Sequence, residues 1–288
     1  MSAEKKTDFH IVNHSIPRRD GRVKVTGKAQ YVADLRLIGM AYAKVLRSPF
    51  AHAKIISIDK AKAEAHPGVY CVVTGYDLDG LNPYFGHAVK DHPLLAIDKV
   101  RYAGEPVAAV VAIDERTAFE ALEFIDVKYE ELKGVFTPEQ AMAKDAPLLH
   151  ERKFEAGALR GFEGDVTAGK GTNICQTHKI QWGDVEKAFK DAASVVEGNY
   201  YFPMTYAYAM EPYVAIADVT DQGVIIYSSA QHPFMVRHDL KSIFNLPVSK
   251  VRLIVPFVGG GYGSKSYTKV EPLVAACSWK AKRSVKLQ

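Results

Sequence analysis

The chain is 288 residues long, 48% hydrophobic and 24% charged, with 37 basic against 33 acidic residues. That is a soluble, globular composition with room for two domains or one large one, and a charge of +4 spread along the chain excludes a nucleic-acid footprint. Its three cysteines, Cys71, Cys175 and Cys277, contain no CxxC pair, which argues against an iron–sulfur cluster or structural zinc held by this chain and fits a reducing compartment.

From the amino terminus, residues 1–10 carry no apolar core of signal-peptide length. The first 25 residues, polar and basic, read as an extended arm. Ala41–Leu46 and Ala53–Ile58 read as strands, with Ile56 and Ile58 alternating with polar neighbours. Lys60–Ala65 reads as a short helix stopped by Pro67 and Gly68. Val69–Val73 and Val107–Ile113 have the apolar, β-branched content of buried strands. The second of these is the longest apolar run, far too short to span a bilayer, so a cytoplasmic protein without a membrane partner is expected. Asp114 suits the N-cap of a helix reaching Phe124 with Ala118, Leu122 and Ile125 on one face, and Val127 and Tyr129 begin a closing strand.

Residues 137–172 are punctuated by Gly157, Gly161, Gly164, Gly169 and Gly171 and show no sustained apolar period. A structureless connection of this length is uncommon inside one compact domain, which divides the chain into 1–136, a linker over 137–172, and 173–288. In the second part Asp184–Ala193 reads as a helix with Val185, Ala188, Phe189 and Ala192 on one stripe. Ser194–Phe202, Tyr213–Val219 and Val224–Ser229 read as strands, Phe234–Phe244 as a helix, and Val251–Phe257 as a strand. A glycine loop follows, then a helix aligning Val270, Leu273, Val274 and Cys277 with Pro272 in its first turn. Val285 and Leu287 alternate as the start of a strand. Stopping there, it would present an unpaired edge, which points to truncation or to completion by a partner subunit.

The loop Gly259-Gly260-Gly261-Tyr262-Gly263-Ser264-Lys265 lets backbone approach a ligand closely and turn N–H groups toward it, with the next helix N-terminus favouring anions. It is neither a P-loop, because Ser264 stands where glycine must precede the lysine, nor a Rossmann turn, because Ser264 also occupies the third glycine position. Spacing alone leaves it divided between a tight turn and a ligand cradle. Gln231 stands where a strand gives way to a helix, a place from which side chains reach ligands, although a lone Gln there is more often a capping or loop residue. Glu211, before Pro212, reads as a base, a ligand or, most often for such an acid, a structural carboxylate. The ten histidines form no HxH or HExxH set, and no GxSxG elbow appears, so neither a side-chain metal site nor a covalent hydrolase is indicated.

In order along the chain, IPRRDGRVKVTGKAQY (16–31), AKVLRSPFAHAKI (43–55) and VRYAGEPVAAVV (100–111) resemble the opening domain of the large subunits of xanthine dehydrogenase and aldehyde oxidase. GDVEKAF (183–189), VVEGN (195–199), MEP (210–212), SSAQ (228–231) and GGGYGSK (259–265) resemble the domain that follows it in the same family. The resemblance implies an α+β chain, an α/β hammerhead domain followed by the first part of a molybdopterin-binding domain. It implies a molybdenum–pterin cofactor, with or without a nucleotide tail and without side-chain ligands to the metal. Gln231 is then a catalytic residue hydrogen-bonded to the molybdenum oxo group, and Gly260, Gly261, Tyr262 and Gly263 join it in holding the cofactor. The implied reaction adds oxygen from water to an electron-poor carbon of an N-heterocycle or aldehyde, electrons leaving through iron–sulfur clusters and FAD.

Two positions depart from the family's pattern. Tyr262 replaces the family's usual Phe, and Ser266 stands where purine-oxidising members carry a glutamate, which weakens a xanthine assignment. The family's catalytic base, a glutamate in a distant Gly-x-Gly-Glu motif, has no counterpart here, and Glu211 belongs to a different motif. The isolated chain is therefore expected to be inactive. The expected partners are a C-terminal half of the molybdenum subunit, an iron–sulfur subunit and an FAD subunit. The rival readings are a non-catalytic fragment or assembly module, and a CoA-thioester reductase of the same family.

Overall fold

The computed structural model describes residues 9–152, 154–155, 171–177 and 179–288. In chain order they form α1 (Gly21–Val25), β1 (Ala41–Arg47), β2 (Ala53–Asp59), α2 (Ala61–Glu64), β3 (Val69–Thr74), β4 (Tyr84–Phe85), β5 (His92–Pro93), β6 (Lys99–Val100), β7 (Pro106–Ala112), α3 (Glu115–Leu122), β8 (Asp126–Glu131) and α4 (Pro138–Met142). Then come α5 (Val185–Asp191), β9 (Ala215–Thr220), β10 (Gly223–Ser228), α6 (Pro233–Ile243), β11 (Val251–Ile254), α7 (Glu271–Ala281) and β12 (Val285–Leu287). Gly157, Gly161, Gly164 and Gly169 lie outside the described residues. No helix among the described residues is long and apolar enough to cross a membrane.

One seven-stranded sheet, ordered β11-β10-β9-β12-β1-β7-β3, runs through both halves of the chain. The continuous apolar run of β7 follows from its place there, buried on both faces. Ala109 and Val111 join Val73 and Ala43 in the core under α6 and α7. Ala108, Val110 and Ala112 face the other way, onto Ala118 and Ala121 of α3. Each fully buried valine here contributes about 1.5–3 kcal/mol. The Asp114 side chain accepts from the Thr117 N–H at 2.7 Å and starts α3. A second sheet, β6-β2-β8, closes the small core of Ala53, Ile55, Ala96, Val100 and Val107.

Three expectations are corrected. The strand beginning at Val285 is no edge: β12 lies fourth of seven, parallel to β1 through Ala41↔Val285 and antiparallel to β9 through Val285↔Ala217. Its two apolar residues enter the main core, while buried Lys286 donates to the carbonyl of Ala33. The amino-terminal arm is not wholly extended, since Asp20 precedes the helical turn α1. Ser194–Phe202 forms no strand; Val196, Tyr200, Tyr201 and Phe202 are exposed. Strand propensity needs a neighbour to satisfy the backbone, and none lies alongside among the described residues. Helix α5, directly before it, is capped by Asp184 as its sequence directs, yet buries no residue.

Candidate functional site

The turn after β10 and the loop after β11 come together because β10 and β11 are parallel neighbours, so both chains leave the sheet at the same end. The Gln231 backbone N–H donates to the carbonyl of Lys265 at 2.9 Å. Its side-chain Oε1 accepts from the N–H of Gly263 at 3.1 Å and of Lys265 at 3.3 Å. Two main-chain donors therefore decide which end of the amide is oxygen. The Nε2 group is left turned away from them, with no acceptor among the described residues.

This approach requires a glycine. A Cβ on Gly261 would lie 2.4 Å from Gln231 Oε1, so the loop reaches the glutamine only with hydrogen at that position. Tyr262 takes a left-handed conformation, φ 52°, at a cost of about 1–2 kcal/mol, and its ring is 77% exposed. Within the loop, Gly263 donates to Gln231, Ser264 to the Gly261 carbonyl at 2.8 Å and Ser266 to the Gly263 carbonyl at 3.1 Å. The N–H groups of Gly260, Gly261 and Tyr262 find no acceptor among the described residues. Gly263 contributes close backbone approach, its N–H being committed to Gln231.

The base of the loop is tied to Glu211. Its Oε2 accepts from the Gly259 N–H at 2.8 Å and from Lys265 Nζ at 2.7 Å, a pair with side chains 7% and 3% exposed. The Glu211 N–H in turn donates to the Gly259 carbonyl at 3.1 Å. Glu211 thus ties the loop through Oε2, as the structural reading of an acid before Pro212 suggests, while its buried Oε1 has no hydrogen-bond partner among the described residues. The sequence did not reveal its partner: Lys265 reads as the end of a glycine motif, and only the fold buries it. Tyr213 adds a hydroxyl donated to the Ser264 carbonyl at 3.0 Å.

The helix behind the loop begins where Pro272 in its first turn directs. α7 starts at Glu271, after an irregular passage through Ser266–Val270, and Glu271 itself accepts from the Lys269 N–H at 2.8 Å and the Ser228 hydroxyl at 2.5 Å. Its N-terminus therefore gives the glycine loop no anion-binding end. Among the described residues no three His, Cys, Asp or Glu are grouped to hold a metal ion. A cavity of about 1060 Å³ lies nearby, lined by Tyr213, Tyr267 and Lys269 of the second half and by Phe85, Tyr102 and Arg47 of the first; Gln231 and Gly260–Gly263 are not among its walls.

Fold and site define a hammerhead domain joined to cofactor-binding architecture. Residues 26–133 match the aldehyde oxidase and xanthine dehydrogenase a/b hammerhead domain, and residues 166–288 match the molybdopterin cofactor-binding domain. The chain belongs to the aldehyde oxidase and xanthine dehydrogenase family. It is 38% identical over 271 residues to a probable xanthine dehydrogenase subunit of Bacillus subtilis, covering 94% of this chain and 34% of that protein. It is 34% identical over 281 residues to the nicotinate dehydrogenase large molybdopterin subunit of Eubacterium barkeri, covering 97% and 61%. Quinoline 2-oxidoreductase from Pseudomonas putida 86 superposes with a TM-score of 0.78 at 33% identity, over 95% of this chain and 34% of that one. The chain thus spans between a third and two thirds of the length of these relatives.

Proposed function

We propose that this chain is part of a molybdenum hydroxylase: an arm and hammerhead over 1–136, a connection over 137–172, and the first part of a cofactor-binding domain over 173–288. The observation that carries this reading is the Gln231 amide, its oxygen fixed by two loop N–H groups and its nitrogen left without an acceptor among the described residues. These residues fit the group in question. Three consecutive N–H donors without an acceptor among the described residues, beside a glycine that lets Gln231 pack on the backbone, suit an oxygen-rich cofactor.

When bound, a molybdenum–pterin cofactor supplies two-electron oxidation of an electron-poor carbon with oxygen from water. The chain's own part is to hold and polarise. With such a cofactor bound, Gln231 Nε2 would donate to one of its oxygens, Gly260, Gly261 and Tyr262 would offer their N–H groups, and Gly263 its unobstructed backbone. Glu211 holds the loop through Lys265 and leaves the proton chemistry to a base outside this chain.

The substrate is an N-heterocycle or aldehyde. Ser266, neutral and short, offers no carboxylate to a purine. The electrons pass to iron–sulfur and FAD subunits, and a C-terminal half of the molybdenum subunit completes the site in the cytoplasm. The alternatives are a CoA-thioester reductase of the same family and a non-catalytic fragment or assembly module; the exposed apolar residues of α5 and Val195–Phe202 favour a chain that requires a complement. Purification from the native source separates the hydroxylase from the non-catalytic fragment. Co-purification with partner subunits, molybdenum and iron supports the hydroxylase, and a stable, metal-free monomer supports the fragment.

A further inference from the structure

Beyond Lys265 the loop is held a third time, by residues the proposed chemistry does not use. Thr268 donates its N–H to His87 Nε2 at 2.9 Å and its hydroxyl to Asp239 Oδ2 at 2.6 Å. Asp239 belongs to α6, but His87 stands between β4 and β5, in the hammerhead half and 181 residues away. The His87 and Asp239 side chains are 6% and 3% exposed, and His87 Nδ1 lies 3.8 Å from Asp239 Oδ2 with no hydrogen-bond partner among the described residues.

The protonation pattern follows from the donors. A main-chain N–H can only donate, so Nε2 carries no proton and the neutral ring keeps its proton on Nδ1, facing the Asp239 carboxylate. The Thr268 hydroxyl hydrogen is committed to Asp239, so this is no nucleophile–base arrangement. What remains is mechanical. The loop is clamped at Gly259 by Glu211, at Gly263 and Lys265 by Gln231, and at Thr268 by His87 with Asp239. Ser266 and Tyr267 are suspended between the second and third clamps, and Tyr267 packs its ring 5.1 Å from that of His87 and borders the large cavity.

Building on the assignment of Gly260–Gly263 to the cofactor, we propose that His87 is a positioning residue through which the hammerhead half holds the exit of the cofactor loop, setting where Ser266 and Tyr267 stand. Of the three hydrogen-bonded clamps among the described residues, only the third draws a residue, His87, from the other half of the chain; at the loop's entrance the first half makes ring contacts instead, through Tyr31 and Lys24 on Phe257.

The test is hydrogen exchange on the full chain in its native complex, for wild type, His87→Ala and His87→Gln. Glutamine can return an acceptor to the Thr268 N–H. Removing a hydrogen bond of about 1.4 kcal/mol corresponds to about tenfold faster local opening. We expect that increase at the Thr268 amide in His87→Ala, unchanged exchange in β9 and β10, and most protection restored in His87→Gln. His87→Leu, which fills the space without an acceptor, tests the same contact if the alanine variant does not fold. Unchanged Thr268 exchange in folded His87→Ala or His87→Leu overturns the proposal, as does a folded glutamine variant with no recovery. Absence of molybdenum from the wild-type complex would count against the hydroxylase reading and leave this exchange comparison intact.

Discussion

Gln231 Oε1 accepts at once from the N–H groups of Gly263 and Lys265, and this double contact turns the other end of the amide off the loop. The side chain that sequence alone would assign to a helix cap is used to fasten one loop to another. α6 begins at Pro233, with no side-chain cap bond at His232.

Replacing Gln231 by glutamate separates fastening from donation. A carboxylate still accepts from both N–H groups but cannot donate outward. The assembled complex with Gln231→Glu is expected to fold and melt near the wild type while turnover drops by about tenfold or more, the range for losing one preorganised donor. Steady-state kinetics beside a melting curve checks this. A low melting temperature with undiminished turnover per folded enzyme would assign Gln231 a purely structural role.

Gly261→Ala places a methyl carbon 2.4 Å from Gln231 Oε1. Displacement of the glutamine should destabilise the chain by about 1–3 kcal/mol, read from urea unfolding. Gly263→Ala meets no atom within 4 Å, and its penalty comes from φ 89° alone, so it should fall near the lower end of that range.

Lys265→Met removes the partner of a buried carboxylate. Glu211 would be left with a charge that burial penalises, and the loss is expected at about 3–5 kcal/mol, whereas the double variant Glu211→Gln with Lys265→Met recovers a large part of it. Urea midpoints of the two singles and the double close the cycle. Additive losses would contradict the pairing.

His150 carries the clearest dependence on pH. Burial first, then the charges of Arg101, Lys99 and Arg152, push its pKa down to about 4, so it is neutral where the unfolded chain, titrating near 6.5, already binds a proton. The unfolded state therefore gains protons first as pH falls. Stability from this group is full above about pH 6.5 and is lost progressively toward pH 4. Urea midpoints measured across that window should fall less steeply in His150→Gln than in the wild type, and parallel curves would remove His150 from the account.

Local patterns made most elements legible. The alternation in β2, the apolar run of β7 and the Asp114 cap of α3 each carry their physical cause within a few residues. Ser194–Phe202 shows the limit, because strand propensity is local while a strand's partner is not. β12 shows the converse. Two alternating residues beside Lys286 pointed to the strand, but its central place depends on β1 and β9, both distant in sequence. At the site, Gln231 and Gly260–Gly263 were visible through motif resemblance. His87, Asp239 and Thr268 were not, since a histidine in an irregular turn resembles any other until the fold sets Thr268 against it.

The central claim is that the Gln231 amide and the loop from Gly260 to Gly263 face a molybdenum–pterin cofactor. Its most direct measurement is an X-ray absorption spectrum at the molybdenum edge on the complex purified with this chain, wild type beside Gln231→Ala. We predict molybdenum in both, with the metal–oxo region altered in the variant. Molybdenum with an identical spectrum in folded Gln231→Ala would contradict contact between that amide and the metal site.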